Sequence, residues 1–293
     1  SGAPCGPGGE SSFSAPRGSM LMRTAVVQFK FTHHKPEISL ARAETFVKKA
    51  AARHADVVVF PEDFLTGPLL GRLELADGEG RYRNAFCRLA RRYHLDIVGG
   101  SVIEKERGRF FNTCYYVDRS GRVLGRYRKV NLWLTEKPWV TPGKSAVVFD
   151  TRWGRAGLAI CWDLAFPELF RDMFQKRVQV VFCPACWSFE DAGTGVRHNP
   201  KAEVVFIDSA CVARAFENEM AMVFCNVARS WKGRTMTLYS AGRSQVTLPF
   251  KGAVGMVRSN REDMLVSDLD LSILDEAEKS YEIKKDRLLS KRR

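Results

Sequence analysis

Short apolar β-rich runs alternate with helical patterns through most of the chain, and this alternation restricts the fold more than any other feature. Residues 23–31, 56–62 and 96–103 are β-rich runs, and residues 36–55 and 83–95 between them space apolar side chains along one helix face. The second half of the chain repeats the arrangement. Strands that alternate with helices predict an α/β fold whose functional residues lie at strand ends.

The two ends of the chain differ in composition from its middle. Residues 1–20 are rich in Gly, Ser and Pro and cannot form a core, so we expect a disordered leader or an expression remnant. Residues 21–279 contain no strong internal linker and are predicted to form one domain. Residues 280–293 carry more basic than acidic side chains and are predicted to be a basic C-terminal tail.

The net charge of +13 raises the question of a nucleic-acid or acidic membrane partner. The basic residues are spread along the chain, and no aromatic stacking motif of an RNA-binding module accompanies them, so a solvated basic surface is expected. The chain has no apolar run long enough to cross a bilayer and no secretion signal. We therefore expect a cytoplasmic protein that binds neither nucleic acid nor membranes.

The eight cysteines are best interpreted as reduced thiols. Several lie inside apolar runs, as Cys183 and Cys225 do, and the chain is too long for a small disulfide scaffold. Cys183 and Cys186 form a CxxC motif, but no second pair follows at a spacing typical of zinc sites. The five histidines form no HExxH motif and no Gly-rich phosphate loop is present. No metal and no cofactor are expected.

Three chemically useful side chains each follow a strand. Glu62, Lys129 and Cys161 come after β-rich runs, and the carboxyl ends of neighbouring strands in an α/β layer share one edge. A glutamate can deprotonate a thiol, and an ammonium stabilises both a thiolate and an oxyanion. The turn after Cys161 is expected to lower the thiol pKa through its backbone N–H groups. Taken alone, each of these residues is more simply interpreted as a surface charge or a core cysteine.

The segments around these residues resemble the signature motifs of the nitrilase, or carbon–nitrogen hydrolase, superfamily. They are FPEDFLTG around Glu62, GRYRKVNLW around Lys129 and GLAICWDLAFPE around Cys161, and the similarity extends from residue 23 to about residue 271. The resemblance implies a four-layer αββα sandwich of two similar halves, which often associates into dimers or larger assemblies. We therefore expect a homodimer or a larger homo-oligomer.

The resemblance also implies a role for each candidate catalytic residue. Glu62 would be the general base, Lys129 the stabiliser of the tetrahedral intermediate and Cys161 the nucleophile. Family members use a second glutamate shortly after the lysine, and Glu136 stands at that place. The alternative for Glu136 is a loop carboxylate paired with Lys137.

The predicted function is that of a cofactor-free cysteine hydrolase. It would cleave the C–N bond of a small-molecule amide or N-carbamoyl compound through a thioester and release ammonia or an amine. Trp139, Trp162 and Trp187 are the expected aromatic walls of the substrate pocket, and the Trp162 N–H would help Lys129 to bind the oxyanion. The alternatives are a nitrilase, an acyl transferase and a non-catalytic binding protein on the same fold.

The chain departs from the family pattern at a few positions. Pro68 replaces a common aromatic residue, and Asn131 and Trp133 depart from the usual motif after the lysine. These changes are expected to affect the pocket wall more than the chemistry. The polar stretch at residues 188–203 is either a lid or specificity loop or a surface insertion.

Overall fold

The computed structural model describes residues 21–290, which form two six-stranded sheets and six α-helices. The expected disordered leader at residues 1–20 and the end of the expected basic tail at residues 291–293 lie outside the described residues. The strands are β1 (Leu21–Gln28), β2 (Val57–Val59), β3 (Asp96–Glu106), β4 (Arg109–Val117), β5 (Val123–Arg128), β6 (Val148–Thr151), β7 (Gly154–Leu158), β8 (Val180–Ala185), β9 (Ala221–Asn226), β10 (Ser230–Lys232), β11 (Thr237–Tyr239), β12 (Gln245–Leu248), β13 (Gly252–Met256) and β14 (Asp263–Asp270). The helices are α1 (Pro36–Ala52), α2 (Arg81–Tyr93), α3 (Pro167–Gln175), α4 (Ala202–Glu217), α5 (Ile273–Tyr281) and α6 (Ile283–Ser290).

The two sheets repeat one pattern of strand pairing. The first has the order β14-β1-β2-β3-β4-β5 and the second the order β6-β7-β8-β9-β12-β13. In each, the second, third and fourth strands run parallel and the outer pairings are antiparallel. Strands β10 and β11 form a separate two-stranded ribbon. The chain therefore consists of two topologically similar halves, as expected.

Alternate residues of the central strands belong to different layers. In β2, Val57 and Val59 join the core between the sheets, whereas Val58 joins the core beneath α1 and α2. This is the two-residue period of a strand that is buried on both faces. Between the sheets, the rings of Tyr116 and Phe182 lie 5.7 Å apart. The first sheet therefore has helices on one face and the second sheet on the other, which confirms this half of the predicted αββα sandwich.

Helices α3 and α4 cover the second sheet. Gly157 in β7 has no side chain, and a Cβ atom there would lie 2.9 Å from Met173 Sδ of α3, so glycine permits this close packing. Ile207 of α4 is fully buried in the same core.

At the C-terminal end, α6 occupies part of the expected basic tail, and Lys284 Nζ lies 3.1 Å from the Glu219 carboxylate. Among the described helices, none combines the length and the apolar character that crossing a membrane requires.

Candidate active site

The three candidate catalytic residues lie at the carboxyl ends of strands from both sheets. Glu62 follows β2 and Lys129 follows β5, and these strands of the first sheet are separated by β3 and β4. Cys161 follows β7 of the second sheet. The expectation of neighbouring strands in one layer was therefore wrong, because stacking of the two sheets brings ends from both layers to the same edge.

All seven candidate site residues line one small cavity of about 60 Å³. The structure brings together the four expected catalytic side chains and the three expected aromatic walls: Glu62, Lys129, Glu136, Cys161, Trp139, Trp162 and Trp187. The stretch at residues 188–203 also contributes Asp191 to the lining. This contact favours a role for that stretch in the pocket over a simple surface insertion.

Lys129 forms a buried ion bridge between two glutamates. Its Nζ lies 2.8 Å from Glu62 Oε1 and 2.6 Å from Glu136 Oε2, and its side chain is 1% exposed. Burial alone would lower the pKa of Lys129, but the charges of Glu136 and Glu62 raise it well above its usual range. The ammonium is therefore charged at neutral pH. Glu136 faces Lys129 and not Lys137, which decides between the two alternatives for its contacts.

Asn112 connects the same two glutamates, and the sequence analysis had given it no role. Its Nδ2 donates to Glu62 Oε1 at 2.9 Å and to Glu136 Oε1 at 2.7 Å. The backbone N–H of Lys129 donates to the Asn112 carbonyl oxygen at 2.9 Å, so β4 and β5 fix the relative positions of both side chains. The available signal was a carboxamide inside the apolar run FFNTCYYV, since buried polar groups need partners.

The carboxylate of Glu62 also contacts the second sheet. The backbone N–H of Cys186, directly after β8, donates to Glu62 Oε2 at 2.9 Å, and the Glu62 N–H donates to the Ala185 carbonyl oxygen at 3.3 Å. The Cys161 thiol is close enough to the same two groups for both to act on its pKa: the Glu62 carboxylate raises it and the Cys186 N–H lowers it. Glu62 is thus held between Lys129 and the thiol, where a base for that thiol is needed.

The Cys161 thiol is protonated at rest. Burial and the negative charge of Glu62 raise its pKa well above the usual range, and Lys129 only partly opposes them. The expectation that the following turn would lower the thiol pKa is therefore wrong on balance, because the cost of a buried thiolate outweighs those dipoles. Cys161 has φ of +49°, a left-handed conformation that a non-glycine residue adopts at a cost.

Asp163 links the loop of Cys161 to the loop of Lys129, and the sequence analysis had missed it as well. Its Oδ2 accepts from the Ile160 N–H at 2.9 Å and from the Tyr127 hydroxyl at 2.7 Å. Its Oδ1 accepts from the backbone N–H and the side-chain amide of Asn131, each at 2.9 Å. The fully buried carboxylate therefore holds the turn that presents Cys161.

Three tryptophan rings in the cavity lining pack against one another. The Trp162 ring lies 4.6 Å from that of Trp133 and 5.7 Å from that of Trp187, measured between centroids. Trp139 donates its indole N–H to the Thr135 carbonyl oxygen at 2.8 Å. Trp133, which departs from the common motif, is therefore a fourth aromatic lining residue, in agreement with the expectation that departures affect the wall.

The model of one protein family, described as carbon-nitrogen hydrolase, matches residues 23–279. The chain belongs to this family. The resemblance to the nitrilase superfamily is therefore confirmed, and so is the fold that it implied. The matched residues include all those that line the cavity.

Characterised relatives of this carbon–nitrogen hydrolase include amidases. The 2-oxoglutaramate amidase of Bacillus subtilis is 29% identical over 86% of this chain and 92% of that protein. The omega-amidase NIT2 of Danio rerio is 29% identical over 90% of this chain and 94% of that protein. A carbon-nitrogen hydrolase from Helicobacter pylori G27 has the same fold, with a TM-score of 0.84, 19% identity and coverage of 93% and 97%.

Two aspartates of this carbon–nitrogen hydrolase also line the cavity. Asp63 follows Glu62 directly, is 8% exposed, and its Oδ1 has no hydrogen-bond partner among the described residues. Asp191 accepts a hydrogen bond from the Ser188 N–H at 2.7 Å, and burial raises the pKa of Asp191 to about 7. Within residues 21–290, no group of three or more His, Cys, Asp and Glu side chains is arranged to hold a metal ion.

Proposed function

We propose that this carbon–nitrogen hydrolase cleaves the primary amide of a small molecule through a thioester on Cys161. The observation that carries the proposal is the buried arrangement of a thiol, a carboxylate within its hydrogen-bonding reach and an ammonium in contact with that carboxylate. These are the nucleophile, the base and the oxyanion stabiliser that acyl transfer requires.

In the first step, Glu62 accepts the thiol proton while Cys161 Sγ attacks the amide carbon. Because the thiol pKa is raised, little free thiolate exists at neutral pH, and the proton must leave as the C–S bond forms. The carbonyl oxygen becomes negative in this step. Lys129, whose charge is maintained by two glutamates, stabilises that oxygen together with the N–H of Trp162.

In the second step, the protonated Glu62 donates its proton to the amide nitrogen, and ammonia leaves as the C–N bond breaks. Glu62 then takes a proton from a water molecule that attacks the thioester, which yields a carboxylic acid and restores the thiol. Glu136 supports both steps because it holds Lys129 and is itself fixed by Asn112 and the Trp133 N–H at 2.7 Å each. Lys129 Nζ donates a hydrogen bond to Glu136 Oε2 at 2.6 Å.

An amide fits this site better than a nitrile. The carboxylates of Glu62 and Glu136 are hydrogen-bond acceptors at the cavity wall, and an amide NH₂ group donates hydrogen bonds whereas a nitrile nitrogen does not. The names of the two relatives, both amidases, support the same choice. An N-carbamoyl compound carries the same NH₂ group and is the second candidate.

A purely binding function explains the site less well. Three charged side chains buried beside a thiol cost desolvation energy, and a site that only binds gains nothing from that cost.

We further propose that the protein acts in the cytoplasm as a homodimer or larger homo-oligomer, without nucleic-acid or membrane partners and without a metal or other cofactor.

An ammonia-release assay tests the proposal. The substrates are an amide, an N-carbamoyl amine and a nitrile on the same carbon skeleton, and the Cys161→Ala variant is the control. We expect ammonia from the amide with the wild-type protein and none with the variant. Ammonia from the nitrile alone would establish a nitrilase instead, and equal release by both proteins would remove Cys161 from the mechanism.

A further inference from the structure

The cavity is acidic although the whole chain is strongly basic. The lining includes one cationic side chain, Lys129, and four carboxyl groups. Neither arginine nor histidine is found among the described residues that line it. The carboxyl groups belong to Glu62, Asp63, Glu136 and Asp191. The local charge therefore opposes the net charge of +13, and a ligand in the cavity experiences the local charge more strongly because that charge is nearer.

The single ammonium is already neutralised by the catalytic glutamates. Lys129 contacts Glu62 at 2.8 Å and Glu136 at 2.6 Å, so two carboxylates share one cation. A carboxylate on the substrate would find no unpaired cation among the described lining residues. The site therefore lacks the usual partner for an anionic group.

Asp63 is a buried acceptor to which no described residue donates a hydrogen bond at Oδ1. Its side chain lies against the cavity, its residue is 8% exposed, and no described residue donates to its Oδ1. Its N–H donates to the Ser101 carbonyl oxygen at 3.1 Å, so the backbone is fixed while the carboxyl group is left without a donor. A buried polar atom without a partner is costly unless a ligand completes it.

The surroundings of Asp63 suit a cation. Asp63 and Asp191 line the same cavity, together with Cys186. Burial, with the charges of Glu62 and Glu136, raises the pKa of Asp63 well above its usual range. Without a ligand the carboxyl group therefore holds its proton at neutral pH, and a cation bound beside it would favour the charged form. The tryptophan walls add aromatic faces, which attract ammonium groups.

We propose that the cavity selects short amides whose other end carries a protonated amine, with Asp63 as the principal acceptor and Asp191 as the second. This inference rests on the proposed amide hydrolysis and names the substrate class for the same site. It sets this chain apart from an enzyme for an anionic amide such as 2-oxoglutaramate, whose carboxylate would face unpaired acceptors. Asp63 follows the base Glu62 directly, so one turn supplies both the reactive and the selective carboxyl groups.

The test compares three amides with the same three-carbon spacer: 4-aminobutanamide, with an ammonium end, its isostere pentanamide, with a methyl end, and glutaramate, with a carboxylate end. Three further sets of these compounds, with one methylene fewer, one more and two more in the spacer, test which length fits the cavity. Ammonia release gives kcat/KM for the wild-type protein. We expect the ammonium compound of the best length to exceed both counterparts by about ten-fold or more, mainly through KM.

Two variants isolate the role of Asp63. Asp63→Asn keeps the size of the side chain and is compatible with the left-handed φ of +51°, but it removes the charge. The ratio of kcat/KM between the ammonium and methyl compounds should fall toward one in this variant. Asp172→Asn on α3, where Asp172 pairs with Lys176 outside the cavity, removes one charge elsewhere and should keep the wild-type ratio.

Calorimetric binding to the Cys161→Ala variant separates this inference from the proposed function. Preferential binding of the ammonium compounds without ammonia release by the wild type would support the selectivity and overturn the amide hydrolysis. Ammonia release without preference for the ammonium compounds would support the hydrolysis and overturn the selectivity. Preference for the carboxylate compounds, an unchanged ratio in Asp63→Asn, or no binding of any ammonium compound would also overturn it.

Discussion

The Lys129 ammonium lies 2.6 Å from the Glu136 carboxylate, with the two side chains 1% and 11% exposed. A charge pair this deeply buried adds little to the folding stability of the protein. Removing one partner, however, leaves the other charge buried without an opposite charge beside it. The pair therefore positions a permanent positive charge beside Cys161 only while both members are present. This relationship determines what substitutions at either position will do.

Lys129→Arg is expected to be nearly as damaging as Lys129→Ala. The compact ammonium contacts two carboxylates at 2.8 and 2.6 Å, and a planar guanidinium cannot occupy that space with the same contacts. We expect kcat to fall about 100-fold or more, the size of the loss when one oxyanion donor is removed. Steady-state ammonia release measures kcat, and a thermal melt checks folding. Turnover near the wild-type level in a folded Lys129→Arg protein would contradict the role of Lys129.

Glu62→Gln and Glu136→Gln are expected to fail at different steps. Glutamine at position 62 cannot accept the thiol proton, so acylation by an activated ester should be lost. Glutamine at position 136 keeps the shape and lacks the charge, so the thiol should still be acylated while turnover becomes far slower. Stopped-flow measurement of the acyl burst distinguishes the two variants. The reverse pattern would mean that the roles are exchanged, and full activity of Glu136→Gln would make Glu136 a structural residue only.

Asn112→Ala is expected to reduce kcat about ten-fold without unfolding the protein. The change removes the donor that serves Glu62 at 2.9 Å and Glu136 at 2.7 Å, so both carboxylates lose a fixed orientation. The matched control is Asn84→Ala on α2, where the exposed side chain contacts only Arg83 in the described hydrogen-bond network. Kinetics of both variants on one amide measure the difference. Equal kcat for the two would show that Asn112 does not position the glutamates.

Asp191→Asn is expected to change the pH dependence of stability. The native pKa of about 7 lies above the ordinary value of 3.8, so the native state binds a proton that the unfolded state has lost. This contribution is fully present below about pH 4 and is lost as the pH rises through 7. Asparagine keeps the hydrogen bond from the Ser188 N–H and does not titrate. The Tm of the variant should therefore rise relative to that of the wild type between pH 4 and 8, and a constant offset in thermal scans would contradict the argument.

The fold and the grouping of the candidate catalytic residues in one cavity were accessible from the sequence because each depends on a local pattern. In β2, Val58 belongs to one core and its two neighbours belong to the other. Because the strand is buried on both faces, its sequence is a continuous apolar run that can be recognised. Glu62, Lys129 and Cys161 stand at strand ends inside motifs that can be recognised along the chain.

The partners of these residues were not accessible in the same way. Asn112, on β4, donates hydrogen bonds to the two glutamates, and Asp163 links two loops that follow strands of different sheets. Their roles therefore depend on three-dimensional contacts. The pKa of Cys161 was misjudged because burial is a property of the whole fold, whereas the turn after the cysteine is local. Asp63 was invisible as a separate signal because it stands inside the motif of Glu62.

The covalent step on Cys161 is the central claim, and intact-protein mass spectrometry after rapid acid quenching tests it most directly. The wild-type protein is mixed with an activated ester of a short acid and quenched during the burst. We expect a mass increase equal to one acyl group, located on the Cys161 peptide and absent from Cys161→Ala. An acyl group on Cys186, the other thiol that lines the cavity, or turnover with no acyl-enzyme at any quench time, would contradict it.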